Sequence, residues 1–502
     1  MIRSWPGERH KRDSREINSM GKYRNKPVKT KGFPPGIPYI IGNEAAERFS
    51  FYGMKSILLV FMTTYLMQPD GSLDVFSIKE AEAWNHLFVA SAYFFPVLGG
   101  ILADAYLGKY FTIILLSVVY CLGHGCLAIM GYSGDTRLWL LAGLALIAVG
   151  SGGIKPCVSS HVGDQFSESN KTLLSKVFGW FYFSINFGAF LSGLLTPFLL
   201  EAKNSANSFG GSIYPYAKIL VGHKNPDEII FGPHYAFGLP GILMAVATLF
   251  FWLGRKDFAH IPPRGAVYFK ETFSRKSLKP IFRLSLIFSF VIVFWALFDQ
   301  IGTSWQIQAR SLDRTFPEWF PLFGGKEMLA SQVAAVWNPL FILILIPIFS
   351  LYIYPFIARF CVLSSLKKMS IGYWVMGFAF GIVSVLQHFI DTGAFPSVAW
   401  QILACFFLTA SEVMISITCL EFAYTQAPRQ MKSLVMAFFL LTVSLGNFLT
   451  SQVKFLLLEQ DGSSKMTEAQ EFWFWTSLIL LTAFVFRFVA ARYQPVEYLH
   501  ET

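Results

Sequence analysis

Long apolar runs, each about the length that crosses a bilayer as a helix, recur along the chain between short polar segments. A spanning helix needs roughly 20 mostly apolar residues. Twelve stretches meet this: 37–67, 84–103, 110–131, 138–160, 176–200, 234–254, 281–309, 329–355, 366–390, 396–424, 433–457 and 470–491. Several exceed the minimum, which predicts tilted or bent helices reaching beyond the hydrocarbon. Pro96, Pro156, Pro240, Pro339 and Pro347 fall in or beside these stretches and predict kinks that neighbouring helices can satisfy. The pattern is that of an all-α membrane protein. A longer polar interval, 255–280, splits the stretches six and six. It predicts two bundles, 36–254 and 281–492, with tails at 1–35 and 493–502. Two bundles around a long linker suggest a secondary transporter.

Composition sharpens this. Of 502 residues, 54% are hydrophobic and 14% charged, against about 25% charged in soluble domains. Water cannot be the solvent for most of such a surface. Disordered, collagenous, coiled-coil and disulfide-stapled secreted classes are excluded. The net charge is 41 − 31 = +10. With the N-terminus inside, inner segments carry about 27 Lys and Arg and outer loops about 9, so both termini are expected in the cytoplasm. The basic excess therefore needs no nucleic acid. Six Cys without a CxxC spacing indicate neither a zinc site nor a disulfide framework. Residues 1–32 are polar and basic with no signal peptide, and read as a disordered cytoplasmic tail. Met20 is an alternative start, and Asn25 breaks the myristoylation pattern that would follow Met20-Gly21. The single sequon, Asn170-Lys171-Thr172, falls on the inner side and is expected to be unmodified. The expected location is a plasma or bacterial inner membrane, multi-pass.

Ionisable residues inside spans cost roughly 2.5–3.5 kcal/mol or more, so each calls for a partner or a function. The first span holds Glu44, Glu47, Arg48 and Lys55. Glu44, Arg48, Phe51 and Lys55 lie within about 60° of one another on a helix, flanked by Glu47 and Tyr52. This is a polar stripe facing a cavity, and Glu44 and Arg48 are spaced to pair. The alternative is a static ion-pair cluster, but two acids with two bases at depth exceed what packing needs. Other buried polar positions are His86 and Tyr93, Lys155, Tyr182 and Asn186, Trp295, Asp299 and Gln300, Trp305, Gln332 and Asn338, and Glu412. His124 reads as structural. Cations thus concentrate in the first bundle and acids, Asp299 and Glu412, in the second. That polarity suits a ligand with one negative and one positive end, as a zwitterionic peptide has. Two or three extended residues span roughly 7–11 Å, a plausible gap between bundles. Asn186 and Asn338 can both donate and accept, as a peptide backbone requires, and aromatic walls accept varied side chains. No P-loop, GxSxG or HExxH is present, so an ATP-driven pump is not indicated.

Motifs then carry a resemblance. Gly100-Ile101-Leu102-Ala103-Asp104-Ala105-Tyr106-Leu107-Gly108-Lys109 resembles the signature loop of the major facilitator superfamily, in which Asp104 would brace a neighbouring helix end. Glu44-Ala45-Ala46-Glu47-Arg48-Phe49-Ser50-Phe51-Tyr52-Gly53 resembles the ExxER hallmark of its proton-coupled oligopeptide transporters (PTR2/POT type). Gly152 to Ser159 with Gly163-Asp164-Gln165-Phe166, and Phe181 to Asn186, are similar to that family's fourth and fifth spans. Phe294 to Gln300, Ser411-Glu412-Val413, Leu420 to Tyr424, and His86 before Phe88-Val89-Ala90 resemble its animal-type members. The resemblance covers nearly all of 36–492.

It implies a major facilitator fold of 12 transmembrane helices and proton-driven import of di- and tripeptides, with peptide-like drugs as further cargo. Glu44, Glu47, Arg48, His86 and Asp299 would serve proton coupling. Tyr52, Lys55, Tyr93, Lys155, Asn186, Trp295 and Asn338 would hold the backbone and carboxylate, and Glu412 the amine. Lys155 would pair with the first-span cluster or with Glu412 as the cycle proceeds. Lys55 and Asp299 would gate the outer side, with Asp104, Lys155 and Glu412 also gating. No cofactor or metal is implied, protons are the coupling ion, and the expected unit is a monomer in a lipid bilayer. Four features depart from the pattern. Lys55 replaces Arg and loses its fork. Phe51 replaces a tyrosine, and Phe439 stands where Trp is common. No insertion is long enough for an extra helix pair or, at 391–395, for an extracellular domain. The rival expectations are a proton-coupled carrier of nitrate or a glycoside and, remotely, a membrane enzyme.

Overall fold

Each apolar stretch is a helix, but the bends fall at specific residues. The computed structural model describes residues 23–201, 232–272, 275–320, 324–360, 362–426 and 432–494. The Met20 start, Cys361, residues 1–22 and 495–502, and the side chain of Tyr424 lie outside the described residues. The long helices are α1 Ile37–Val60, α2 Ile78–Leu102, α3 Lys109–Ile129, α4 Thr136–Asp164, α5 Leu174–Glu201, α6 Pro233–Leu253, α7 Arg275–Phe298, α8 Ala330–Ile348, α9 Ser365–Asp391, α10 Ala399–Glu412, α11 Lys432–Leu457 and α12 Glu468–Arg492. Taken with the turns that continue them, eleven of these helices among the described residues are long and apolar enough to cross a membrane. The exception is α1, because Glu44, Glu47, Arg48 and Lys55 lower its hydropathy.

Several helices change pitch where polar residues sit. A 3-10 turn, Asp299–Gly302, interrupts the seventh span before Ser304–Ala309. A π turn, Val413–Ile417, follows Glu412 directly. Such local departures re-aim side chains and collect at functional positions. Proline bends are compensated by neighbours. Pro96 cannot bond the Ala92 carbonyl, and Ser151 of α4 donates to that oxygen instead, at 3.1 Å. Close helix approach rests on missing side chains: a Cβ on Gly99 of α2 would lie 2.1 Å from the Gly152 carbonyl oxygen of α4.

Two main apolar cores result, with two smaller clusters beside them. One gathers residues from Ile37 to Phe258 and the other residues from Leu284 to Phe486. The first half also keeps α1 on α5 and α6, and the second keeps α9 on α10 and α12. Across the halves, α2 packs on α11 and α5 on α8, toward the end that carries loops 66–77 and 458–467, here called the far end. There Ser331 donates to Glu201 at 2.6 Å and Gln332 to the Leu194 carbonyl at 2.9 Å. A Cβ on Gly193 of α5 would lie 2.5 Å from the Ala335 carbonyl oxygen of α8.

The opposite, terminal end contains a correction. The expectation of a disordered 1–32 tail fails for 23–32, which straps onto the loops. The His260 backbone N–H donates to the Arg24 carbonyl at 2.7 Å, and the Tyr23 ring stacks on His260 at 4.5 Å. Ser169 donates to the Thr30 carbonyl at 2.9 Å, and Asn170 to that of Gly32 at 3.1 Å. The amide of the sequon Asn170 is therefore already buried and bonded.

Candidate functional site

Between the halves lies a cavity of about 150 Å3, walled by α1, α2 and α5 on one side and α7, α8 and α10 on the other. Tyr52, Lys55, Tyr93 and Asn186 line it from the first half, and Trp295, Asp299, Asn338 and Glu412 from the second. Its volume is below the roughly 300 Å3 of ordinary ligand pockets, so a bulky ligand would require the walls to part. Eight of the residues singled out in the sequence thus converge here.

The α1 stripe is a buried network. Arg48 Nε donates to Glu44 Oε1 at 2.7 Å and lies 3.3 Å from Glu47 Oε2. Glu44 Oε2 and Glu47 Oε1 are buried with no hydrogen-bond partner, as is Lys155 Nζ. Lys155 instead sits 3.6 Å over the Phe51 ring and 4.3 Å over the Tyr93 ring. It pairs with neither the α1 cluster nor Glu412 in this structure. An ammonium on aromatic faces alone is weakly held, and it is free to take an anion. Phe51 thus replaces a hydroxyl with a cation–π seat. Opposite, the Asn338 amide donates to Glu412 Oε2 at 3.1 Å and to Thr409 at 3.0 Å. Glu412 has no cation bonded to it among the described residues. The Trp295 indole N–H is also buried without an acceptor, and Asn186 donates to the Tyr182 carbonyl at 3.0 Å.

Lys55 and Asp299 form an ion pair across the halves. Asn447 of α11 donates to Asp299 Oδ2 at 2.7 Å and so turns its oxygen to His86 Nδ1, at 2.9 Å. That makes Nδ1 the donor, and Nε2 lies 2.9 Å from the Thr303 hydroxyl. His86 therefore belongs to the Lys55–Asp299 closure, through two residues, Asn447 and Thr303, that sequence reasoning missed. Seven-residue spacing links Asn447 to Lys454 on one face of α11, and that was the available signal.

Asp104 lies elsewhere. It occupies a π turn, Ala103–Leu107, at the terminal end, 3.8 Å from Arg264 of the linker, whose backbone N–H donates to the Asp104 carbonyl at 2.8 Å. The helix-end brace expected of it is made by Lys109 and Asp164 at 2.7 Å. Gly108 ends the turn at φ +77°, a conformation that favours glycine. His124, between Ser50 at 3.3 Å and the Phe237 carbonyl at 3.2 Å, is a satisfied core histidine.

Comparison with known proteins agrees with this architecture. The sequence profile of the POT family (PTR2) matches residues 110–275 and 269–470. Solute carrier family 15 member 2 of Mus musculus is 32% identical over 410 residues, 74% of this chain and 51% of the relative. Peptide transporter 3 of Caenorhabditis elegans is 33% identical over 408 residues, 73% of this chain and 53% of the relative. The chain spans about half the length of these curated relatives. A crystal structure of an auto-inhibited POT family peptide transporter superposes with TM-score 0.75 at 33% identity, covering 93% of this chain and 99% of that one. That of the POT family transporter PepTSo gives 0.76 at 34%, covering 92% and 98%.

Proposed function

The chain belongs to the POT family, with the multi-pass major facilitator fold of its structural neighbours, and from that premise we propose that it is a proton-driven symporter importing di- and tripeptides by alternating access. The observation that carries this reading is the pair of unlike, uncommitted charges around the cavity. Lys155 in the first half has no hydrogen-bond partner, and Glu412 in the second is held only by a neutral amide. Lys155 takes the peptide carboxylate and Glu412 the amine, while Asn186 and Asn338 meet the backbone and Tyr52, Tyr93 and Trp295 the side chains. The terminal end, with its Lys- and Arg-rich loops, is cytoplasmic.

Coupling follows from the α1 network. A proton on Glu44 or Glu47 weakens the hold on Arg48, and the loosened cation strengthens the carboxylate site beside Lys155. Peptide bridging the two halves favours the occluded state, and separation of Lys55 from Asp299 opens the far end. Proton and peptide must each bind some states better than others for this to couple. The inward membrane potential contributes about 2.3 kcal/mol per charge per 100 mV. The proton is the coupling ion, no cofactor takes part, and the substrate leaves chemically unchanged.

The test is uptake of labelled dialanine into proteoliposomes with and without an inward proton gradient. Gradient-driven accumulation of intact dipeptide supports the reading. No uptake of several di- and tripeptides by folded protein, with uptake of nitrate or a glycoside, replaces it.

A further inference from the structure

Above His86, toward the far end, the interface between the halves contains four fully buried charges that the transport reading does not use. Lys79 and Glu82 lie on α2, Lys454 on α11 and Glu471 on α12, each at most 3% exposed. Lys79 Nζ is 2.7 Å from Glu471 Oε2, and Lys454 Nζ is 2.7 Å from Glu82 Oε2. These two contacts cross between the halves. Within the first half, Lys79 Nζ is also 3.3 Å from Glu82 Oε2. Within the second half, Lys454 pairs with Glu471. Each of the four charges therefore has one opposite partner in its own half and at least one across the interface, Lys79 having Glu468 as a second. Ser304 donates to Glu82 Oε1 at 2.8 Å, and Glu468, partly exposed, lies 2.8 Å from Lys79 across the interface. The seam runs through Ser304 and Thr303 to His86, Asn447 and Asp299.

We propose that Lys79, Glu82, Lys454 and Glu471 form a partner-retaining ionic joint that closes the far end of the transport path and opens without stranding a charge. A buried charge is costly when its partner is removed. When the halves part, Lys79 keeps Glu82 and Lys454 keeps Glu471, so only the crossing contacts are given up. The Lys55–Asp299 pair has no such provision: each residue loses its ionic partner on opening, and Asp299 keeps only Asn447. The two closures thus divide the work. Lys55–Asp299 opposes opening, and the joint aligns the halves while leaving opening reversible. This rests on the alternating-access reading but is tested by conformation rather than by uptake.

The pairing pattern makes opposite predictions for two kinds of double variant. Lys79→Gln with Glu82→Gln removes one complete same-half pair. It deletes all three crossing ionic contacts, that of Lys79 with Glu468 included, and leaves Lys454 with Glu471, so the far end opens more. Lys454→Gln with Glu471→Gln, combined with Glu468→Gln to remove the remaining crossing contact of Lys79, is the corresponding variant of the other half and has the same expected effect, should the first fold poorly. Lys79→Gln with Glu471→Gln removes a crossing pair instead. Glu82 and Lys454 then remain partners only while closed, so the far end opens less. Spin labels on Ser72→Cys and Ser463→Cys, in exposed loops of the far end and in a background without native cysteines, report the separation by pulsed electron resonance. The expected result is a rise of the long-distance population by about tenfold in the same-half variants and a comparable fall in the cross-half variant, since 1.4 kcal/mol is one factor of ten. Shifts in the same direction for both kinds, or none in either, overturn the joint. Failure of uptake of several di- and tripeptides with the opposite shifts intact would overturn the peptide reading and leave the joint standing.

Discussion

The far-end seam and the central cavity hold similar numbers of buried charges and treat them in opposite ways. In the seam, Lys79, Glu82, Lys454 and Glu471 each touch at least two opposite charges, and His86 is bonded at both ring nitrogens. Around the cavity, Lys155 Nζ, Glu44 Oε2, Glu47 Oε1 and the Trp295 indole N–H are buried with no hydrogen-bond partner. Burying a polar atom unpaired is costly. The cost is tolerable where a ligand or proton supplies the missing partner during the cycle. On the proposed reading, pairing separates the charges that hold the halves together from those that wait for cargo.

The largest expected contrast is between two equally buried carboxylates. Glu47→Gln should abolish gradient-driven peptide accumulation while peptide exchange continues, because the proton site is lost and the cavity is not. Glu82→Gln should change turnover but not the ratio of protons to peptides, measured from reversal potentials. Identical losses of coupling in both would erase the distinction between the regions. Next, Gly193→Ala should weaken the seam by forcing α5 off the Ala335 carbonyl of α8. Overpacking of this kind costs about 1–3 kcal/mol, and it should appear as increased thiol-reagent access at the far end. Unchanged access would mean that this contact does not hold the halves. A smaller effect is expected at Phe51. Replacement by Leu removes one of the two rings that seat Lys155, a cation–π contact worth about 0.5–2 kcal/mol. Since that seat competes with the peptide carboxylate, affinity should rise a few-fold in equilibrium binding, and weaker binding would show the ring helps the ligand instead. The smallest concerns the 23–32 strap. Burial holds His260 below its ordinary pKa, opposed by its bond to the Arg255 carbonyl and aided by Arg24. The folded strap thus prefers the neutral ring. Its stability is complete above about pH 6.5 and falls as pH drops below it. Hydrogen exchange at 23–32, corrected for intrinsic rates, should quicken on acidification, and His260→Gln should remove the dependence.

The α1 stripe, Asp299, Asn338 and Glu412 were legible because ionisable residues inside apolar stretches stand out and share helical faces. The bundle division was legible from the 255–280 interval. The seam was not. Lys79 and Glu82 open α2, Lys454 closes α11 and Glu471 opens α12, where charges ordinarily face water. Only tertiary packing buries them. Thr303 and Asn447 were hidden for a different reason, being neutral residues whose importance lies in which partner they face. The strap at 23–32 was misread because a polar, basic composition says nothing of loops built to receive its backbone.

The most direct measurement concerns the two free charges of the cavity. Equilibrium binding of dialanine, N-acetyl-dialanine and dialanine amide should be compared in wild type, Lys155→Gln and Glu412→Gln. The wild type should prefer free dialanine over both blocked forms, each charge-assisted contact being worth about 1.5–3 kcal/mol, or 10–100-fold. Glu412→Gln should lose discrimination against the acetylated amine alone, and Lys155→Gln against the amidated carboxylate alone. If both variants weaken all three ligands equally, the charges do not read the two ends of a peptide, and the division between paired seam and waiting cavity is wrong.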